Sequence, residues 1–481
     1  MSERFLLSGL RHFAGPATAA LMLIGACASP ASAQYFGRNK VQYKKLDFQV
    51  LKTDHFDIYF YPSAREGIDL SARMAERWLA RLEKQLGHQL RGRQPLILYG
   101  SHVDFEQTNA IPGDLGEGTG GVTEPLRRRI ILPLAGPLAD TDHVIGHELV
   151  HAFQFDMTAR PGAGPGETGA NTLPLWFIEG MAEYLSIGPV DPHTSMWLRD
   201  AAREEKLPTI RDLNNPKYFP YRWGQAFWAY VGGRYGDSVI AKMLAIAAAA
   251  GDPEVAFKQV LGVSEKELSA AWHDAIRATY AAPLRSLTPP NEVGTVILKG
   301  EGAGGDLNVG PALSPDGKWI AFLSERSLLS IDLFVADAAT GKVVRRLTRT
   351  ATDPHFSSLQ FIYSSGAWDQ DSRRLALGTI ADGRAALAIF DALTGSKERE
   401  VVLPDVDEVL NPTWSPDGQS VAFSGMARGV TDLYVVELKS GKVRALTKDA
   451  YADLQPAWSP DGRRIAFVTD RFSTRLDNVD I

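Results

Sequence analysis

The segment Val144-Ile-Gly-His-Glu-Leu-Val-His-Ala-Phe153 confines what this chain can build. It sets His147, Glu148 and His151 in an otherwise apolar run, so a helix here is buried while carrying two imidazoles and a carboxylate. Positions i and i+4 share a helix face, and His147 and His151 can therefore converge on one metal ion. Glu148, one position along, then stands beside a metal-bound water, where a carboxylate can act as general base. A bland helix with two histidines would carry the same pattern, so the spacing needs a further ligand.

A catalytic zinc site takes three protein ligands and keeps one position open. The best supplier is Leu175-Trp-Phe-Ile-Glu-Gly-Met-Ala-Glu-Tyr-Leu185, where Trp176, Phe177, Met181, Tyr184 and Leu185 form an apolar stripe at helical spacing. Two carboxylates at i and i+4 on such a helix need partners. Glu179 is expected to be the third ligand, and Glu183 to accept from the far nitrogen of a ligand histidine, His147. The competing reading puts both glutamates on a solvent-facing surface. His143 shares the face of His147 and His151 but lies a turn earlier, near an N-terminus that Thr141 or Asp142 would cap, and is expected to be structural.

HELVH followed by WFIEGMAEY resembles the gluzincin (peptidase MA-like) metallopeptidases, the class of thermolysin and the membrane alanyl aminopeptidases. The likeness is nearest to bacterial exported proteins in which such a domain precedes propeller repeats. Tyr35-Phe-Gly-Arg-Asn-Lys-Val-Gln-Tyr43 and Leu51-Lys-Thr-Asp-His-Phe-Asp-Ile-Tyr59 fit that group. The resemblance implies an α+β zincin-like domain holding one Zn²⁺ per chain on His147, His151 and Glu179. Glu148 would be general base on a zinc-bound water, Glu183 the brace of a histidine, and a peptide or protein the substrate. It also implies a tyrosine or histidine on the far wall of the cleft as oxyanion donor. Tyr221, ahead of a helix that ends near Tyr235-Gly236, is the candidate and Tyr218 the second, against an aromatic core role for Tyr221. The chain departs from the class in three ways: a longer gap between His151 and Glu179, no GAMEN sequence, and Ile178 where the aminopeptidases carry Asn. Aminopeptidase activity is accordingly not expected.

Residues 1–33 read as an export signal, with Arg4 and Arg11 ahead of an apolar core at 17–26 and Ala31-Ser32-Ala33 before Gln34. The expected location is periplasmic or secreted. Cys27, the one cysteine in the sequence, lies inside this segment, so cleavage would leave no disulfide. The alternative makes Ile24-Gly25-Ala26-Cys27 a lipoprotein box with Cys27 as membrane anchor. The leader carries a net +1, so its loss takes the formal charge from −6 to −7, which argues against a nucleic-acid binder.

Nearly all of the 481 residues remain, enough for at least two domains. The first, 34–285, shows strands at Phe56–Tyr61, Pro95–Tyr99 and Arg129–Pro133 and a helical pattern from Ala64 to Leu86. The strand just ahead of the HExxH helix is expected to flank the cleft and offer its edge to a peptide backbone. Gly118-Thr-Gly-Gly121 would let that peptide approach, or simply make a turn. A Pro-rich linker, 286–300, follows. Residues 301–481 then repeat Ser-Pro-Asp-Gly at 314–317, 415–418 and 459–462, each before an alternating strand, with a worn copy at Trp368-Asp-Gln-Asp-Ser372. These repeats resemble TolB-type β-propeller blades, about three and a half of them, and the expectation is an all-β, incomplete propeller belonging to a longer protein. The rival to a peptidase is an envelope interaction module whose propeller binds partners while the peptidase fold serves as scaffold.

Overall fold

The computed structural model describes residues 44–471, apart from 112–114, 117, 161, 163, 165, 299–306, 327–329, 351–352, 354 and 360–365. The leader with Cys27, the Tyr35–Tyr43 segment and the end of the chain lie outside the described residues.

Five strands make the N-terminal sheet: β1 (Gln49–Lys52), β2 (Phe56–Phe60), β3 (Gln94–Tyr99), β4 (Val122–Glu124) and β5 (Arg129–Pro133), in the order β1-β2-β3-β5-β4. β2, β3 and β5 run parallel, while β1 and β4 pair antiparallel at the two edges. Alternation drives β2, where Phe56, Ile58 and Phe60 are buried between half-exposed neighbours. β5 corrects one expectation. It lies inside the sheet, bonded on both sides, and the edge beside the HExxH helix is the short β4, whose three residues show little alternation.

The helix Arg65–Leu86 and the HExxH helix, Leu138–Met157, cross at Gly146, where a Cβ would stand 2.6 Å from the Trp78 ring. The HExxH helix starts earlier than expected, after Pro137. His143 therefore lies in its second turn, and Thr141 Oγ1 accepts from Ala135 N at 3.0 Å instead of capping the helix. The glutamate helix, Leu175–Ile187, packs on the tyrosine helix, Pro220–Tyr235, at a glycine pair. A Cβ on Gly180 would meet Gly224 Cα at 2.3 Å, so only two glycines allow this approach. Tyr221 belongs to the first turn of its helix rather than preceding it. The helix Glu265–Ser286 runs past the expected domain edge, and the proline-rich joint holds a short helical turn at Pro290–Val293.

Beyond it the chain is all-β and propeller-like. Three sheets of four or five strands and one two-stranded sheet follow in chain order among the described residues. Each Ser-Pro-Asp-Gly turn ends on a glycine with positive φ, and in the worn copy Ser372 adopts φ 58 in that place. Its hydroxyl accepts from Asp316 N of the preceding blade at 3.0 Å. The repeated tryptophans join blade to blade. Trp368 Nε1 donates to Ala312 O at 2.8 Å, Trp414 Nε1 to Ala367 O at 2.9 Å and Trp458 Nε1 to Thr413 O at 3.3 Å.

The third blade sits on the N-terminal region. Gly67 N donates to Arg428 O at 3.1 Å, and Arg428 Nε lies 2.8 Å from Glu66 Oε2. Thr431 Oγ1 donates to Gly136 O at 2.9 Å, immediately ahead of the HExxH helix. His102 N donates to Glu408 Oε1 at 2.7 Å, and Val103 packs on the core between the second and third blades. These contacts tie the N-terminal region to the third blade in addition to the proline-rich joint.

Glu408 is buried in this seam, and burial pushes its carboxyl up to about 7 against the opposing pull of His102; Asp407 and Glu106 add to the rise. A raised native value means that the folded state holds a proton which the unfolded chain releases. The ionisation cost is absent below the ordinary carboxylate range, grows as pH rises, and is complete above about 7. Glu408→Gln, which keeps an acceptor for His102 N, should gain stability relative to the wild type between pH 5 and pH 8 by on the order of 1–3 kcal/mol. Urea midpoints at the two pH values measure it, and an unchanged difference would remove Glu408 from the pH dependence.

Candidate metal centre

Helix geometry places His147 and His151 on one face, and packing of the glutamate helix across them delivers Glu179. Glu179 Oε2 lies 3.1 Å from His147 Nε2 and 3.1 Å from His151 Nε2, and the two Nε2 atoms are 3.1 Å apart. His147 and His151 are buried and Glu179 is slightly more exposed, and the trio is one of two groups among the described residues with metal-ligand spacing. The other joins His143, His147 and Glu183.

The surrounding hydrogen bonds decide which nitrogens carry protons. Gln154 Nε2 donates to Ile178 O at 2.9 Å, which turns its Oε1 toward His151 Nδ1 at 2.8 Å. His151 Nδ1 therefore holds the proton and Nε2 presents its lone pair. Glu183 Oε1 stands 3.0 Å from His147 Nδ1 without hydrogen-bond alignment, and its negative charge favours the same tautomer there. Two nitrogen lone pairs and a carboxylate oxygen then face one another at 3.1 Å. A cation placed among them relieves that repulsion, and the alternative is protonation of the rings. Burial opposes charged rings, yet Glu179 and Glu183 push His147 up to about 10, and Glu179 drives His151 the same way. Burial likewise opposes the carboxylates, but the histidines hold Glu179 and Glu183 well below the usual range. The donor set, two neutral imidazoles and a carboxylate with oriented partners, fits Zn²⁺.

Glu148 does not join the trio. It is buried beside β4, and Thr123 Oγ1 lies 2.7 Å from its Oε2 and 2.8 Å from its backbone oxygen. A Cβ at Gly121 would meet Glu148 Cγ at 2.9 Å. The last glycine of the 118–121 run thus makes room for the Glu148 side chain. Tyr221 stacks on His147, with centroids 5.7 Å apart and planes at 22°. Burial first, then the Glu179, Glu148 and Glu183 carboxylates, push its phenol upward, so it stays a donor. Tyr218, the second candidate, packs edge-on against Trp223 instead.

Sequence reasoning passed over several supporting residues. His143, expected to be structural, places Nε2 3.2 Å from Glu183 Oε1, while Arg222 Nη1 lies 3.3 Å from Glu183 Oε2 and 3.2 Å from Asp191 Oδ1. Glu183 is thereby held from two sides. Gln154 had a legible signal, since it follows His151 at i+3 on the same helix. Thr123 and Arg222 had none, because they arrive from other elements.

Comparison with known proteins reaches the C-terminal region. The TolB beta propeller domain family, PD40, matches residues 356–475. A curated protein named Protein TolB homolog, from Chlorobium chlorochromatii (strain CaD3), is 35% identical over 114 residues, 24% of this chain and 22% of the relative. The chain thus spans under a quarter of that relative's length. Among solved structures, a TolB from Agrobacterium tumefaciens aligns over 36% of this chain and 57% of its own at 20% identity and TM-score 0.30. TolB from Acinetobacter baumannii aligns over 34% and 38% at 21% identity and TM-score 0.28. The C-terminal part is accordingly a TolB-type propeller region.

Purified protein should carry about one Zn²⁺ per chain by elemental analysis, with His147→Ala or His151→Ala losing most of it. Glu183→Ala should lower zinc affinity about 10–100-fold. A folded Glu179→Ala protein that keeps full zinc would remove Glu179 from the ligand set. Gly180→Ala should add about 1 kcal/mol of helix propensity but lose more by prising the two helices apart. A lower melting temperature with weaker zinc retention is expected, and a rise in melting temperature would contradict the close helix contact.

Proposed function

We propose that this chain is a zinc-dependent peptidase of the cell envelope whose propeller region engages protein partners. The carrying observation is the convergence of His147, His151 and Glu179, with Gln154 bonded to His151 Nδ1 and the Glu183 carboxylate beside His147 Nδ1. The mixed sheet with its antiparallel edge β4 beside the HExxH helix supports a zincin-like reading of the N-terminal region. His147, His151 and Glu179 would hold Zn²⁺, which would supply Lewis-acid chemistry to a scissile carbonyl and a water. Glu148, held in orientation by Thr123, takes the proton from the attacking water and passes it to the leaving amine. The Tyr221 hydroxyl donates to the developing oxyanion. Among the described residues β4 is bonded to β5 alone, leaving an edge on which an extended peptide can lie. The residues 1–33 pattern supports export, and the substrate is a protein or peptide met outside the cytoplasm.

The family match at 356–475 favours a second reading, in which partner binding by the propeller is the whole function and the N-terminal region is its scaffold. Glu148→Gln separates the two. It should keep zinc, since Glu148 is not among the ligands, and lose about 10²–10⁴-fold of the hydrolysis of denatured protein. Phenanthroline should abolish wild-type hydrolysis and added zinc restore it. Wild-type protein that holds zinc yet cleaves nothing, or Glu148→Gln protein that cleaves as well as wild type, would leave the interaction module standing.

A further inference from the structure

Carboxylates outnumber cations where the two-stranded sheet meets the N-terminal region. Among the described residues, the ion pairs of Asp432, Asp449 and Asp453 draw on Arg428 and Arg471 alone, and Arg428 also serves Glu66. Arg471 is committed to Asp449, which leaves its Nη2 3.8 Å from Asp453 Oδ2. Asp432 is met by Thr447 Oγ1 at 3.2 Å and by Asp449 N at 3.3 Å. Asp453 is not met. It is fully buried at the head of the strand Asp453–Trp458, and no hydrogen-bond donor reaches either of its carboxylate oxygens. Asp470 follows the facing strand, Ile465–Thr469, in which Thr469 pairs with Asp453. Its Oδ1 accepts from Ala452 N at 2.9 Å, while its buried Oδ2 has no partner. Burial pushes the Asp470 carboxyl upward, and the neighbouring Asp453 charge adds to the rise.

Buried carboxylate oxygens without donors are costly unless a cation or a proton stands among them. The donors here are oxygens only, with no imidazole or thiolate, which selects a hard cation over Zn²⁺. Ca²⁺ accepts an irregular shell of carboxylate, carbonyl and water oxygens, whereas Mg²⁺ demands a tight octahedron. We propose that Asp453 and Asp470 bind a Ca²⁺ ion that clamps the two-stranded sheet to the start of the HExxH helix. The place of the pair carries the second half of the statement. The Leu138 N–H, at the first residue of that helix, faces the Asp470 carboxylate, and Leu454 Cδ2 lies 3.9 Å from where a Gly136 Cβ would stand. An ion drawing the two carboxylates together would hold the sheet against this stretch. The inference is independent of whether the zinc centre cleaves peptides.

The test uses the zinc-loaded full chain in calcium-free buffer. Calorimetric titration with Ca²⁺ should show one site with a Kd on the order of 10⁻⁵–10⁻³ M. At about 100-fold excess over that Kd the melting temperature should rise by about 2–6 °C. Tb³⁺ in the site should luminesce through Tyr451, whose ring lies 5.3 Å from the Arg471 guanidinium, and Ca²⁺ should quench it by displacement. Asp453→Asn and Asp470→Asn should each weaken Ca²⁺ binding at least about 10-fold and leave zinc content unchanged. Asp453→Asn should also melt above the calcium-free wild type, because a buried charge is gone. Asp470 is only half-buried, so its variant carries the test if Asp453→Asn does not fold. Amide exchange over residues 138–142 should slow when Ca²⁺ is added. Absence of Ca²⁺ binding, or a thermal response that survives in the variants, would overturn the site, and unchanged exchange would overturn the clamp. Stabilisation by acid with no response to Ca²⁺ would give the pair a shared proton instead and overturn the proposal.

Discussion

Three lone pairs meeting inside a protein are the constraint around which the N-terminal region is arranged. His147 Nε2, His151 Nε2 and Glu179 Oε2 stand 3.1 Å apart in a buried place, and nothing apolar can relieve them. His151 is turned by a hydrogen bond on its far side, and the Glu183 carboxylate beside the far nitrogen of His147 is itself gripped by His143 and Arg222. Such a shell fixes the orientation of the donors before any cation arrives, which is how outer partners raise metal affinity. The glycine pair at 180 and 224 belongs to the same requirement. Helices separated by ordinary side chains would carry Glu179 away from the histidines.

The propeller region is coupled to this centre through backbone rather than through a tether. The third blade bonds to Gly67 and to Gly136, and Gly136 lies just ahead of the HExxH helix. A partner that shifts the blade would thus act on the end of the helix bearing His147 and His151. The seam buries Glu408 and half-buries Asp407, both pushed upward by desolvation, so its strength falls as the surroundings become more alkaline.

Much of the site was legible in the chain, and the boundary is instructive. The His147–His151 and Glu179–Glu183 pairs each lie on one helix, where an i,i+4 relation is set by backbone geometry. Their joining across 28 to 32 residues needed only the knowledge that buried carboxylates seek partners. The repeats were legible too, since Ser-Pro-Asp-Gly demands a tight turn wherever it stands, and Ser372 takes the same backbone shape with the wrong side chain for it. The edge strand was misjudged because β4 is three residues long, too short to show a period. The Glu183 contact of His143 was not legible because that partner comes from another helix.

The sequence by itself determined the local elements and their chemistry: a buried helix with two histidines on one face, a second with two carboxylates, and a turn repeated blade after blade. Only the tertiary structure decided that Thr123 and Gly121 shape the Glu148 pocket, that Arg222 steadies Glu183, and that the third blade presses on the start of the HExxH helix. The reason is physical. Periodicity within an element is written by the rise and twist of its own backbone, whereas meetings between elements depend on crossing angles and close approach, which short-range pattern does not encode.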